Sequence, residues 1–350
     1  MDERSAYRFE PAMLAAPRRA GISAIMRIRN GADFLRLAIE SHLPFYDEIV
    51  ACYNDCSDAT EDILRELAAR HPGRVRPLHY RPKVHPPYGA AHDRTPTESV
   101  HSLANYYNWA LSHARYATAV KLDDDHLAIP GPLARGVARI RAEQASGICR
   151  LYTFSGVNLV RGRGHSLAVY GNQPLVGTGD IMYFPVRPDI HFRQTRRFEY
   201  LAFTGKVPLK SYMGLLYFHL KHVKPDYGFG NLEPELRRQA TREFLETLQV
   251  VGIDEFRGAS YQQRLRRSHN RLEYGLRTNR VVERLVRALS GREPPLRISR
   301  LRRLAEDVAQ IDWDRDLFAH LPDSTAAAPA GSGAGSGDAR VGEGLVPSPA

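Results

Sequence analysis

The chain is poor in the features that mark exported, membrane-spanning or disulfide-built proteins. Its 350 residues include three cysteines, Cys52, Cys56 and Cys149. A sparse, odd set argues against a disulfide framework and for a reducing, cytoplasmic setting. Cys52 and Cys56 are four positions apart, but no second Cys/His pair accompanies them, which argues against zinc. No run approaches the roughly 18 apolar residues of a membrane-spanning helix. Residues 1–20 mix Asp2, Glu3, Arg4, Arg8 and Glu10 without an apolar core. They are expected to form an N-terminal extension and not a secretory signal. Gly162-Arg163-Gly164 lacks the rest of a dinucleotide fingerprint. Ser155 and Ser166 have no nucleophile-elbow context. No internal repeat is present.

Lysine is absent from residues 264–303, where thirteen arginines face three acids, Glu273, Glu283 and Glu293. Thirteen minus three is +10, the formal net charge of the whole chain. The remainder is balanced, so the expected organisation is a basic helical appendage on a neutral body. With 43% hydrophobic and 25% charged residues, the chain suits one large or two modest globular units. The expected parts are 1–20, an α/β body over 21–230, a helical Arg-rich extension over 231–318, and a tail over 319–350. The tail, rich in Ala, Pro, Gly and Ser, has too little apolar content to fold and is expected to be disordered.

Within the body, strand-like and helix-like patterns alternate. Ile22 to Ile28 suits a strand, Asn30-Gly31 a turn, and Phe34 to Leu43 a helix. Glu48 to Tyr53 suits a second strand, followed by Asn54-Asp55-Cys56-Ser57-Asp58. Asp58 and Glu61 suit a helix start. A third strand is expected over 75–80, and a helix over 98–114 with Leu103, Ala104, Tyr107 and Leu111 inward. A fourth strand, Ala119 to Leu122, runs into Asp123-Asp124-Asp125. Such alternation predicts a mostly parallel sheet flanked by helices, with ligands at the carboxyl ends of its strands.

The Asp triplet is the most telling stretch. Three adjacent carboxylates repel one another unless solvent or a cation relieves them. Mg²⁺ or Mn²⁺ is a natural relief at the end of a buried strand, and such ions usually bring a phosphate. On an extended strand Asp123 and Asp125 would share a face and Asp124 would point away. Lys121, on the face of Asp123, is a candidate phosphate contact or a partner for the acids.

Taken together, Met26-Arg27-Ile28-Arg29-Asn30, Asp55-Cys56-Ser57-Asp58-Ala59-Thr60 and Leu122-Asp123-Asp124-Asp125 resemble the nucleotide-binding half of GT-A-fold glycosyltransferases. Family 2-like enzymes of bacterial surface polysaccharide synthesis resemble them most. The resemblance covers residues 20 to 225. It implies transfer from a nucleotide-sugar donor to a glycan or lipid-linked acceptor. It places Asn30 and Asp55 at the base or ribose, with Asp123 and Asp125 on the metal. Tyr53-Asn54-Asp55 stands where the family often has two adjacent acids.

By the same resemblance, the Gly-punctuated stretch Val176 to Pro185 leads to the acceptor side. An inverting transfer needs a carboxylate base, and Asp180 and Glu199 are the two candidates. Leu215 to His222 predicts an apolar strand delivering a third metal ligand. His219 is preferred, with His222 behind it. Lys221 and Lys224 are candidate diphosphate contacts, and Pro225 to Gly230 a candidate lid. Two rival readings stand beside this one. A nucleotidyltransferase would need the same metal, but Arg27-Ile28-Arg29-Asn30-Gly31 is a poor version of its usual loop. A nucleic-acid binder would use the Arg-rich segment, but no aromatic-basic interleaving occurs there, and no nucleic acid is expected. That segment is either a helical extension packed on the body or a helix that attaches to anionic lipid at the inner membrane face.

Overall fold

The computed structural model describes residues 6–87, 89–162, 166–176, 182–195, 199–206, 208–268 and 303–321. Asp180, residues 269–302 of the Arg-rich segment and residues 322–350 of the tail lie outside them. The expected α/β class holds. The first half comprises β1 (Arg19–Ile28), α1 (Leu35–His42), β2 (Glu48–Tyr53), α2 (Thr60–Arg70), β3 (Val75–His79), α3 (Ala90–Arg94), α4 (Leu103–Ser112) and β4 (Tyr116–Lys121). β1 pairs in parallel with β2 and β4, and β2 with β3. Ile22, Ala24, Met26 and Ile28 pack on one side with Leu35, Ile39 and Leu64. Ile25 joins Tyr106, Tyr107, Trp109 and Leu111 of α4 in a second cluster. A strand buried on both faces needs such a continuous apolar run.

The helix expected from Glu98 starts instead at Leu103. Ser102 is its N-cap and accepts a hydrogen bond from the Asn105 amide at 2.9 Å. The hydroxyl satisfies an amide that the first turn leaves open, which fixes the start there. The aromatics of α4 are core and form no exposed stacking platform.

The second half departs from a parallel sheet. It continues through β5 (His126–Ala128), α5 (Pro130–Ala145), β6 (Leu151–Arg161), β7 (Leu167–Tyr170), β8 (Leu175–Val176) and β9 (Met182–Pro185). β10 (Ile190–Gln194) and β11 (Glu199–Phe203) form a separate two-stranded sheet, and β12 spans Lys210–His222. β9 lies antiparallel to β4 and β6, so it splices the two halves together. β12 is the longest described strand of the second half. It runs parallel to β6 and antiparallel to β5. Residues beyond 230 continue this packing. Helix Pro234–Thr247 and the short strand Val250–Val251 follow, and the latter pairs with β7. Ile253, Phe256, Leu304, Val308, Trp313 and Leu317 share one core with Leu215 and Phe218 of β12. Among the described residues, no helix is long and apolar enough to cross a membrane.

Candidate active site

β4 ends at Lys121, and Asp123–Asp125 form the turn into β5. This corrects the expectation that Asp123 and Asp125 share a face of an extended strand. A turn rotates successive side chains, so each acid acquires its own surroundings. Asp123 accepts from the Tyr107 hydroxyl at 3.3 Å and lies 3.5 Å from Lys121 Nζ. Asp124 pairs with Lys224 at 2.8 Å. A side chain at Gly31 would bring its Cβ within 2.9 Å of Asp124 Oδ2, so the Asn30-Gly31 turn leaves room for this acid. Asp125 is buried, 3.2 Å from Lys224 Nζ and 3.5 Å from His219 Nε2.

The electrostatics separate the three. Burial opposes ionisation of Asp125, but Lys224 outweighs it, and its pKa is held well below the usual range. Burial likewise opposes ionisation of Asp123, and Lys121 leads the groups that offset it and lower its pKa. Asp124 is pushed up to about 6 by burial, against the pull of Lys224 and with Asp125 adding to the rise. Lys224 stays charged because the two carboxylates overcome its burial.

His219 sits in the middle of a row across three strands. Its register partner on β5 is His126, and on β6 it is Asn158. One atom each from Asp125, His126 and His219 lie within 4.8 Å of one another. His126 is buried, stacks on Tyr217 at 3.9 Å and is held neutral by that burial, its pKa lowered to about 3. Its Nε2 and Asp125 Oδ1 are buried without a hydrogen-bond partner. Asp123 Oδ2 lies 3.7 Å from the same nitrogen. A carboxylate and two imidazoles that converge this closely, with two of their buried polar atoms lacking a hydrogen-bond partner, suit a cation. The residue that sequence reasoning missed is therefore His126. Its position beside the triplet was visible, but its pairing with His219 is set by the β5–β12 register.

Asp123, Asp124, Asp125, Asn158 and His219 line a cleft of about 540 Å³, and His126 lies behind its wall, not among the lining residues. Arg27, Arg29, Lys121, Lys221 and Lys224 line it together with the three acids. Five cations and three anions face the cleft, while Arg27 and Arg29 also pair with Glu199 and Asp55 outside its lining. Asn54, which stands where the resembled family often has an acid, and His85, which lacks ligand spacing in the sequence, also line it. The Asn54 amide donates to the carbonyls of Tyr80 and Pro82 at 2.6 and 2.8 Å and so anchors the adjoining loop.

The other expected residues are distributed as follows. Asn30 adopts φ 51° and accepts from the Ser57 amide at 2.8 Å, holding the loop after β2. Asp55 adopts φ 47°, is exposed, and pairs with Arg29 at 3.0 Å. Neither is among the residues lining the cleft. Asn and Asp tolerate this backbone region well. Glu199, at the start of β11, lies 3.5 Å from Arg27. Arg27 lies over the Tyr107 ring at 4.8 Å, and Tyr107 reaches Asp123, so Glu199 connects to the acid turn through two side chains. Lys221 lies over the Phe229 ring at 5.7 Å. His222 also lines the cleft, donating from Nδ1 to the Tyr227 carbonyl at 2.9 Å and stacking on Phe244 at 4.6 Å. Asn231 donates to the Arg29 carbonyl at 2.6 Å, so the segment after β12 crosses the cleft to the β1 turn.

Residues 17–133 match a family described as Beta-1,4-N-acetylgalactosaminyltransferase (CgtA). No curated protein matches the chain in sequence. Among solved structures, S. aureus TarS 1-349 is similar at 12% identity and a TM-score of 0.36, over 77% of this chain and 75% of that one. S. aureus TarS 1-349 in complex with UDP-GlcNAc is similar at 13% identity and a TM-score of 0.34, over 74% of each chain. No residue role passes from these structures to this chain at such scores. The family match falls on the span that holds β1 to β5 and the acid turn, and it bears out the expected glycosyltransferase.

Proposed function

We propose that this glycosyltransferase is metal-dependent and moves a sugar, with inversion, from a nucleotide-sugar donor to a glycan or lipid-linked acceptor in surface polysaccharide synthesis. One observation carries the metal. Asp125, His126 and His219 converge within 4.8 Å, with Asp125 Oδ1 and His126 Nε2 buried without a hydrogen-bond partner. A carboxylate and two imidazoles suit Mn²⁺ better than Mg²⁺, which prefers oxygen ligands. Asp123 is the adjacent acid that would complete the set. When bound, the ion would neutralise charge developing on the diphosphate leaving group. The matched family's description names N-acetylgalactosaminyl transfer, so a nucleotide-linked N-acetylhexosamine is the donor class to test first.

The chain's own residues do the rest. Arg27, Arg29 and Lys221 surround the diphosphate. Asn30 and Asp55 shape the rim where the nucleoside enters. Glu199, kept near the acid turn by Arg27, takes the acceptor hydroxyl's proton, and Asp180 is the alternative base. The Arg-rich segment holds the enzyme at anionic lipid, which vesicle flotation of the intact chain at low salt tests. Nucleotide-sugar turnover with Mn²⁺, and its loss in EDTA, tests the central reading.

A second reading rests on Lys224, whose Nζ lies 2.8 Å from Asp124 and 3.2 Å from Asp125. Here the ammonium meets the diphosphate and no ion is needed. Full turnover in EDTA, abolished by Lys224→Ala, would select it.

A further inference from the structure

We infer that Asn158 is a positioning residue that fixes the tautomer of His219 and so makes Nε2 of that ring a metal ligand. The inference rests on the metal-centre reading above. Asn158 is buried on β6 and is the cross-strand register partner of His219. Its Nδ2 donates to the Gln173 carbonyl at 3.2 Å, and its own backbone amide donates to the Pro174 carbonyl at 2.9 Å. Only an amide NH₂ can face a carbonyl, so the orientation of the side chain is decided there. Its Oδ1 then faces His219 Nδ1 at 3.1 Å.

A carbonyl oxygen only accepts, so Nδ1 must carry the proton. A neutral imidazole protonated on Nδ1 has its lone pair on Nε2. That nitrogen lies 3.5 Å from Asp125 and belongs to the cluster with His126. With the proton on the far side, it donates nothing to Asp125, in keeping with the unpartnered Asp125 Oδ1. The opposite tautomer would place a proton between His219 and Asp125, hydrogen-bonding the carboxylate and closing the site to a cation. Metal-bound histidines generally have the second nitrogen held by such an acceptor. Here the acceptor is supplied by the neighbouring strand, anchored in turn by the turn that precedes β8.

The test uses the full chain. Two-bond ¹⁵N–¹H correlations of the imidazoles, in protein freed of metal, read the tautomer directly. Wild-type His219 is expected to carry its proton on Nδ1, and Asn158→Leu to lose that preference. Mn²⁺ alone, titrated by electron paramagnetic resonance, should bind Asn158→Leu about 10–100-fold more weakly. Asn158→Asp keeps an acceptor and should bind within about threefold of wild type. An Nε2–H tautomer in the wild type would overturn the inference, as would equal Mn²⁺ affinity in Asn158→Leu. If Asn158→Leu does not fold, the wild-type tautomer and Asn158→Asp decide: failure of Asn158→Asp to bind Mn²⁺ while folded overturns it. A wild type that binds no Mn²⁺ would overturn the metal reading, and the tautomer would still decide the Asn158–His219 assignment.

Discussion

The two walls of the cleft are built in different ways. One wall is local: Asp123, Asp124 and Asp125 are consecutive, delivered by a strand of the parallel half. The other is assembled at long range: His219 and Lys224 come from the end of β12 and just beyond it, and Asn158 from β6. The local wall brings charge. The assembled wall brings the groups that direct that charge, a lysine pairing Asp124 and Asp125 and a histidine that also faces Asp125. Adjacent acids can be crowded together by sequence alone. Neutral ligands with the right lone pair need a register, because their partners are cross-strand neighbours.

The sharpest way to break this division is on the local wall. Asp125 touches both Lys224 and His219, so Asp125→Asn removes a carboxylate from the lone-pair cluster and half of the Lys224 anchorage. Nucleotide-sugar turnover should fall by about 10³-fold or more, the scale of losing a metal's charge stabilisation of several kcal/mol. Circular dichroism should stay unchanged. Near-normal turnover would mean that the local wall carries no chemistry.

The next test falls on the second half of the chain. Glu199→Gln should lower transfer by about 10²-fold or more while nucleotide binding survives, the usual contribution of a general base. Asp180→Asn, made separately, should then keep most activity. The reverse pattern would move the base to Asp180. Retention of the donor's anomeric configuration in the product would remove the inverting assignment.

The difference between the walls also explains what could be read from the sequence. β1, β2 and the acid turn were legible because apolar runs ending in polar residues are written in consecutive positions. Residues 48–53 were expected as a strand and form one. His219 was legible only as the histidine of a long apolar strand. His126 was not, although it adjoins Asp125, because its ligand character comes from burial against Tyr217 and from pairing with His219. The strand direction of the second half was also hidden. Antiparallel β9 and the mixed pairing of β12 depend on which strands meet, and periodicity does not encode that. The start of α4 was misplaced by five residues for a local reason, since Ser102 and not an earlier residue satisfies the open amide.

The smallest expected effect lies where the C-terminal helix meets the assembled wall. Helix Leu304–Ala309 brings Asp307 against Gly214 of β12. Gly214 has φ 107°, and an added Cβ would lie 2.9 Å from Asp307 Oδ1, so the glycine is needed for this approach. Burial raises the Asp307 pKa to about 6, offset in part by Arg303, raised further by Glu306 and lowered by a Tyr212 hydrogen bond. Arg135 and Arg139 of α5 line the same recess. The folded pKa therefore exceeds the unfolded value, and the native state binds the proton more tightly. This contribution to stability is fully present below about pH 4 and is lost as pH rises through about 6. Above pH 6 the protein holds a buried carboxylate at a cost, which Asp307→Asn should relieve. The variant should gain on the order of 1 kcal/mol relative to wild type between pH 4.5 and pH 7.5, read as the difference in Tm between the two proteins at each pH. Turnover should be unchanged, since Asp307 does not line the cleft. A stability difference that is the same at both pH values would show that Asp307 is charged across the range, and that this contact holds the helix by an ion pair with Arg303.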